Sequence, residues 1–326
     1  MKKIIAFILA VLLLVSVFPF GTVLADEKIS VVSTIFPPYD FARAVAGDKA
    51  EVKMLLKPGA EIHSFEPTPA DILAIQNADV FLYIGGENDV WVDTILTSMD
   101  LSGKQIVRLM DAVTPVEEET VEGMQEEAEE EHEGEEPEGE EQEHEHGEAE
   151  YDEHIWTSPK NAALMVKAVA DALCFADAGN EKVYRENAAA YVKQIEEVDA
   201  QFQAVVQGAV YKIMVFGDRF PFRYFADAYG LEYRAAFPGC STETEASAAT
   251  IAYLIDTVQA NKLPYIYTIE LSNQNVAWSI SEQTGAQILV LQSCQGISRD
   301  DFQAGATYLS LMLQNVESLR KGLVTP

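Results

Sequence analysis

Imidazole and carboxylate are the two side-chain types in this chain best able to hold a divalent cation, and they crowd into one stretch. Of the five histidines, His132, His144 and His146 lie in the acidic run EEETVEGMQEEAEEEHEGEEPEGEEQEHEHGEAE, which starts at Glu117. His154 closes that run in YDEHIWTSP, and His63 stands apart in GAEIHSFEPTP. Imidazole and carboxylate together make a surface for a borderline-to-hard divalent metal. Outside the acidic run only His63 and His154 remain, and both fall in loops.

The formal net charge of −31 has one main source. Between Glu117 and Glu153 stand 21 Asp and Glu and no Lys or Arg. The remainder carries about −10, an ordinary acidic composition for a globular protein. No basic stripe exists to neutralise phosphates, so nucleic acid is not expected as a partner. The run has no aromatic residue before Tyr151 and its like charges repel, so 116–150 is expected to be a disordered insertion. It is either a solvated acidic loop or an accessory that captures metal weakly through His132, His144 and His146. The densest ligand cluster within it is Glu143-His144-Glu145-His146.

The elements that must position His63 and His154 alternate between strand and helix. A chain of 326 residues exceeds the size at which one core usually stops growing, so two domains are expected. Residues 1–25 resemble an export signal: Lys2 and Lys3, an apolar run from Ile4 to Phe20, then Val23-Leu24-Ala25 as a cleavage site. An uncleaved anchor is the alternative. No cysteine lies near that cleavage site, so lipid attachment there is not expected. The protein is expected at the periplasmic or extracellular face of the cytoplasmic membrane. Cys174 reads as a buried small hydrophobe, whereas Cys240 and Cys294 lie in loop-like stretches and could pair.

In the first half, ISVVSTI, EVKMLL, ADVFLYIGG and QIVRLM read as strands. Pro37-Pro38 marks a break before a short helix, and Thr68-Pro69-Ala70-Asp71 is a helix start. After the acidic run, 161–178 and 181–207 read as helices, the second with apolar residues recurring at three and four from Tyr184 to Val205. The pattern then repeats with the strands AVYKIMVFG, LEYRAAF, YIYTIEL and AQILVLQ, and a last helix over 301–321. The resulting fold class is α/β: two lobes, each a parallel sheet flanked by helices, joined by one long linking helix. The boundaries are 26–178 for the first lobe, 179–208 for the linking helix and 209–326 for the second lobe. Ligands of such sheets bind beyond the carboxyl ends of the strands, here the cleft between lobes. His63, His154 and Glu270, at the end of YIYTIE, fall there.

Five stretches carry a family resemblance: GAEIHSFEPTPADI, ADVFLYIGGENDVW, YDEHIWTSPKNA, FRYFADAYGL and the YTIE strand end. In that order they resemble the zinc- and manganese-type (ZnuA-like) metal-binding proteins of bacterial ABC importers, over essentially the whole mature chain. The resemblance implies two α/β lobes on a rigid helix and His63, His154 and Glu270 as metal ligands. It implies no enzymatic activity, a membrane permease as partner, and action as a monomer. Zinc is the implied cargo, favoured by the acidic histidine-bearing insertion, with manganese or ferrous iron as the alternative.

One departure matters. Zinc-type members carry a further histidine at the start of a His-Asp-x-Phe pattern, and laying it on GDRF puts Gly217 at the ligand position. Asp218, Glu243 or Glu245 could fill the gap, and Arg219 could pair with one of these carboxylates. Two readings of other kinds compete with metal import. A zinc hydrolase would need a motif such as HExxH or a nucleophile, and none is present. A metal-sequestering or adhesion protein would share the same site.

Overall fold

The computed structural model describes residues 28–124, 151–242 and 245–325. The export signal, His132, His144, His146 and Glu243 lie outside the described residues. Among the described residues no helix is long and apolar enough to cross a membrane.

The first lobe runs β1 (Ile29–Ser33), α1 (Phe36–Ala46), β2 (Ala50–Met54), α2 (Pro69–Asn77), β3 (Val80–Tyr83), α3 (Val90–Leu96) and β4 (Gln105–Arg108). Its four strands are parallel, in the order β2-β1-β3-β4. Two helices follow, α4 (Pro159–Ala176) and α5 (Glu181–Gln207). The second lobe runs β5 (Ile213–Arg219), α6 (Arg223–Tyr229), β6 (Glu232–Phe237), α7 (Ala248–Asn261), β7 (Tyr265–Ile269), α8 (Asn275–Thr284) and β8 (Gln287–Leu291). Its sheet is again parallel, in the order β6-β5-β7-β8. The chain ends in α9 (Arg299–Gln303), α10 (Tyr308–Leu319) and a last wide turn at Arg320–Val324. Each sheet reverses its winding beside its first strand, which leaves a crevice at the carboxyl ends of β1 and β3, and of β5 and β7.

Local sequence explains most boundaries. Pro37 and Pro38 occupy the first turn of α1, where a missing N–H leaves nothing unsatisfied, so they open the helix and do not break the chain before it. Thr68 caps α2 reciprocally with Asp71. In α5 the residues Tyr184, Ala188, Tyr191, Ile195, Val198, Phe202 and Val205 are all buried. At 27 residues the helix is roughly 40 Å long, enough to touch both lobes. It packs on α1 and α4 on one side and α10 on the other. One apolar core continues from Val31 and Phe36 through Tyr184 and Phe202 to Phe216 and Tyr308.

Several expectations are corrected. The single last helix is two, because Gly305 turns with φ +76° and Thr307 then caps α10 with Ser310. Helix α8 was not expected; its Val276, Ala277 and Ile280 face inward from a polar-looking segment. The first residues of the acidic insertion are folded: Glu117 bridges Tyr151, and Met124 is buried. Glu119 pairs with Arg223 at 2.8 Å and accepts from Tyr233 at 3.1 Å. Cys174, Cys240 and Cys294 are all free, buried thiols, so Cys240 and Cys294 are not joined. Trp278 is 56% exposed.

Candidate metal centre

His63 lies in the one-turn helix Ile62–Ser64 between β2 and α2. Its side chain is 7% exposed, with Nε2 3.8 Å from Glu61 Oε1. Burial and the nearby Arg219 and His154 push its pKa down to about 3, against a hydrogen bond with Asn88. A neutral imidazole can ligate a metal; an imidazolium cannot.

His154 precedes the short turn Ile155–Thr157 that leads into α4. Its ring is fully buried, and Nδ1 lies 3.1 Å from Asp152 Oδ1. Asp152 Oδ1 also accepts the His154 backbone N–H at 2.7 Å. Burial works to lower the His154 pKa, but the charge and hydrogen bond of Asp152 outweigh it and the net shift is upward. The other nitrogen, Nε2, is buried without a hydrogen-bond partner among the described residues. A buried polar atom left so is costly in water-free surroundings. An imidazole held by a carboxylate on one nitrogen and free on the other is the arrangement metal-binding histidines adopt. Trp156 meets the His154 ring edge-on at 5.5 Å and donates from Nε1 to Ser293 O at 2.7 Å, so it lies against the imidazole.

The surrounding loops are fixed by buried polar contacts. Asp89 accepts the N–H groups of Ile84 and Gly85 at 2.8 and 3.1 Å, holding the turn after β3 that carries Asn88. Burial pushes the Asp89 carboxyl up to about 7. Asn88 donates its backbone and side-chain N–H groups to the Glu153 carboxylate, which also accepts from Gln295 Nε2 at 3.4 Å.

The second lobe faces this group with less than the sequence predicts. Glu270 follows β7, and its oxygens accept Ser293 N at 2.5 Å and Ser293 Oγ at 2.6 Å. Burial pushes its pKa up to about 7 despite those bonds. Asp218 accepts from Thr268 Oγ1 at 2.5 Å, Ile269 N at 3.4 Å and Arg219 N at 2.9 Å, so its carboxylate is committed to the sheet. A Cβ on Gly217 would lie 2.5 Å from Ala277 Cα in α8, so position 217 presents nothing to the histidines. Arg219 reaches across the cleft instead: its guanidinium meets Glu61 at 3.3 and 3.4 Å and Ser241 O at 3.3 Å. Among the described residues its ion-pair partner is Glu61 of the first lobe. Ile62, Glu61, Arg219, Glu270, Ser293 and Gln295 line a cavity of about 20 Å³, room for one atom-sized guest.

One close group was not predicted. Ligand-capable atoms of Glu153, His154 and Cys240 all lie within 4.8 Å of one another, and all three residues are buried. Cys240 comes from the loop after β6. The signal for it was weak: a cysteine after glycine in FPGCS, visible only as a possible disulfide partner.

Similarity to known proteins bears on this site. A family profile described as zinc-uptake complex component A, periplasmic, ZnuA, matches residues 31–322. The zinc-binding lipoprotein AdcA of Streptococcus pneumoniae R6 is 32% identical over 298 residues, covering 91% of this chain and 56% of AdcA. The chain thus spans about half the length of that relative. The high-affinity zinc uptake system protein ZnuA of Bacillus subtilis 168 is 31% identical over 298 residues, covering 91% of this chain and 88% of that protein. Among solved structures, the Zn(II)-bound ZnuA-like domain of Streptococcus pneumoniae AdcA superposes with a TM-score of 0.72 at 28% identity, over 91% of this chain and 100% of the domain. With one profile spanning nearly all of its described length, two repeated parallel sheets and a helix along both, this chain belongs to the ZnuA family.

Proposed function

We propose that the protein is an exported solute-binding protein that captures a divalent metal, zinc first, in the cleft between its lobes and hands it to the permease of an ABC importer. The observation that carries this is His154 Nε2, a buried ring nitrogen without a hydrogen-bond partner among the described residues, near the half-buried, neutral imidazole of His63. Zinc-binding relatives of the same family support the choice of ion. The function is capture and release, so no bond in the cargo is made or broken beyond coordination.

In this reading His63 and His154 hold the ion from the first lobe. Glu270 is a candidate ligand from the second lobe, already turned toward the small cavity at the cleft. Asp218, the other candidate, accepts hydrogen bonds from Thr268, Ile269 and Arg219 N that tie it to the sheet. The rest of the acidic run, with His132, His144 and His146, would raise the local metal concentration at the cleft mouth.

Titration calorimetry with zinc tests the site. The intact chain is expected to show one tight site, and His63→Ala or His154→Ala should each weaken it beyond the roughly 10- to 100-fold typical of losing a supporting hydrogen-bond partner. Nanomolar zinc affinity retained in both variants would sink the reading. Removing residues 125–150 should spare the tight site and abolish weaker binding only.

A further inference from the structure

We propose that the Cys240 thiolate is a further second-lobe ligand to the captured metal, joining Glu270 and tuning the site to thiophilic ions. This rests on the capture reading above and adds a sulfur ligand to it.

Three observations lead to it. The first is proximity across the cleft: a loop of the second lobe places Cys240 within 4.8 Å of the ligand atoms of His154 and Glu153, which come from the first. A tetrahedral zinc with Zn–S about 2.3 Å and Zn–N about 2.0 Å sets its ligand atoms roughly 3.5 Å apart. Ligand atoms already within 4.8 Å of one another are close to that arrangement. The loop is already tethered here, since Cys240 N donates to Glu118 Oε1 at 2.9 Å and Gly239 lies against the His154 ring.

The second observation is the orphaned His154 Nε2, fully buried, which calls for a partner that no described side chain supplies. The third is elimination among the described groups near the site. Gly217 points its absent side chain at Ala277, and Asp218 is bound into the sheet. Arg219 is a cation paired with Glu61. Cys294 contacts Gln292 O and Cys174 contacts Glu181 O. Cys240 is the cysteine whose sulfur lies within 4.8 Å of a His154 ring nitrogen.

The electrostatics agree. Asp152, Glu153 and Glu118 surround the imidazole and thiol with negative charge, which a dication would neutralise. On binding, the ion takes the place of the thiol proton, which leaves to solvent: Zn²⁺ and R–SH become (Zn–S–R)⁺ and H⁺. A thiolate at this position favours zinc over manganese, because sulfur is a soft ligand and manganese prefers oxygen.

Cobalt(II) bound to the full chain is a direct probe. A sulfur ligand gives a near-ultraviolet sulfur-to-cobalt charge-transfer band, expected in the parent protein, kept in Cys174→Ser and Cys294→Ala, and lost in Cys240→Ser. X-ray absorption of the zinc-loaded parent protein requires no variant; it should show one sulfur at about 2.3 Å. Metal bound with nitrogen and oxygen ligands alone, or a sulfur signal surviving in Cys240→Ser, overturns this inference and leaves the capture reading standing. Absence of any cobalt or zinc binding overturns both.

Discussion

The two histidines show how one side-chain type takes two roles from its surroundings. His63 is held neutral by burial and by the Arg219 guanidinium, whereas Asp152 favours the protonated form of His154. Proton competition for the metal therefore begins at His154 as pH falls. The His63 shift also makes stability depend on pH. Its folded pKa of about 3 lies below its ordinary 6.5, so the unfolded chain takes up a proton first on acidification. The contribution is complete above about 6.5 and erodes as pH falls toward 3. Replacing Arg219 with Met removes one charge that disfavours protonation, so the His63 pKa should rise; imidazole NMR titration of the metal-free protein reads it, and an unchanged midpoint would contradict the electrostatic assignment. The same change should cost no more than about 1 kcal/mol of stability through the lost Glu61 pair, which is part-exposed. Scarcity made His63 and His154 legible in the sequence. Arg219, Glu61 and Cys240 were not, because their roles depend on contacts between residues more than 80 positions apart.

Elements with local signals were read well, and those defined by distant contacts were not. The Thr68 capping pair and the apolar period of α5 lie within a few residues of each other, and both are present as predicted. The folded start of the acidic insertion depends on Tyr233 and Arg223 more than 100 residues away, so charge density alone suggested disorder there. Strand β5 carries the position at which the family pattern has a histidine and this chain has Gly217. Its pairing with β6 shifts register between Phe216 and Arg219, and such a bulge re-aims the side chains that follow it. Pattern matching on GDRF marked Gly217 as unable to ligate, and the structure adds that this position is pressed against α8. Gly217→Ala should accordingly destabilise the protein by about 1–3 kcal/mol, since the new Cβ meets backbone atoms that cannot swing away. Guanidinium denaturation of the metal-free variant measures this. A variant as stable as the parent would show that α8 yields, and that residue 217 has room after all.

At the scale of the molecule, the two sheets are not independent bodies on a tether. Asp40 in α1 accepts Tyr191 Oη of α5 at 2.7 Å and Tyr308 N of α10 at 2.9 Å, joining both lobes and the long helix at one buried carboxylate. Tyr308 in turn donates from Oη to Trp156 O at 2.7 Å, two residues beyond His154. The apolar core that encloses these groups is continuous from β1 to α10. Composition suggested two domains by length, yet the shared core makes cooperative unfolding the physical expectation, because exposing one lobe's face strips the packing of the other. Metal-free protein should therefore lose the fluorescence of buried Trp156 and its far-ultraviolet helical signal at one denaturant midpoint. Zinc, bound only by the folded chain, should raise that midpoint without splitting it, by about 4 kcal/mol at a thousandfold excess over the dissociation constant. Two separated transitions in the metal-free protein would show that the lobes fold apart and that zinc alone draws them together.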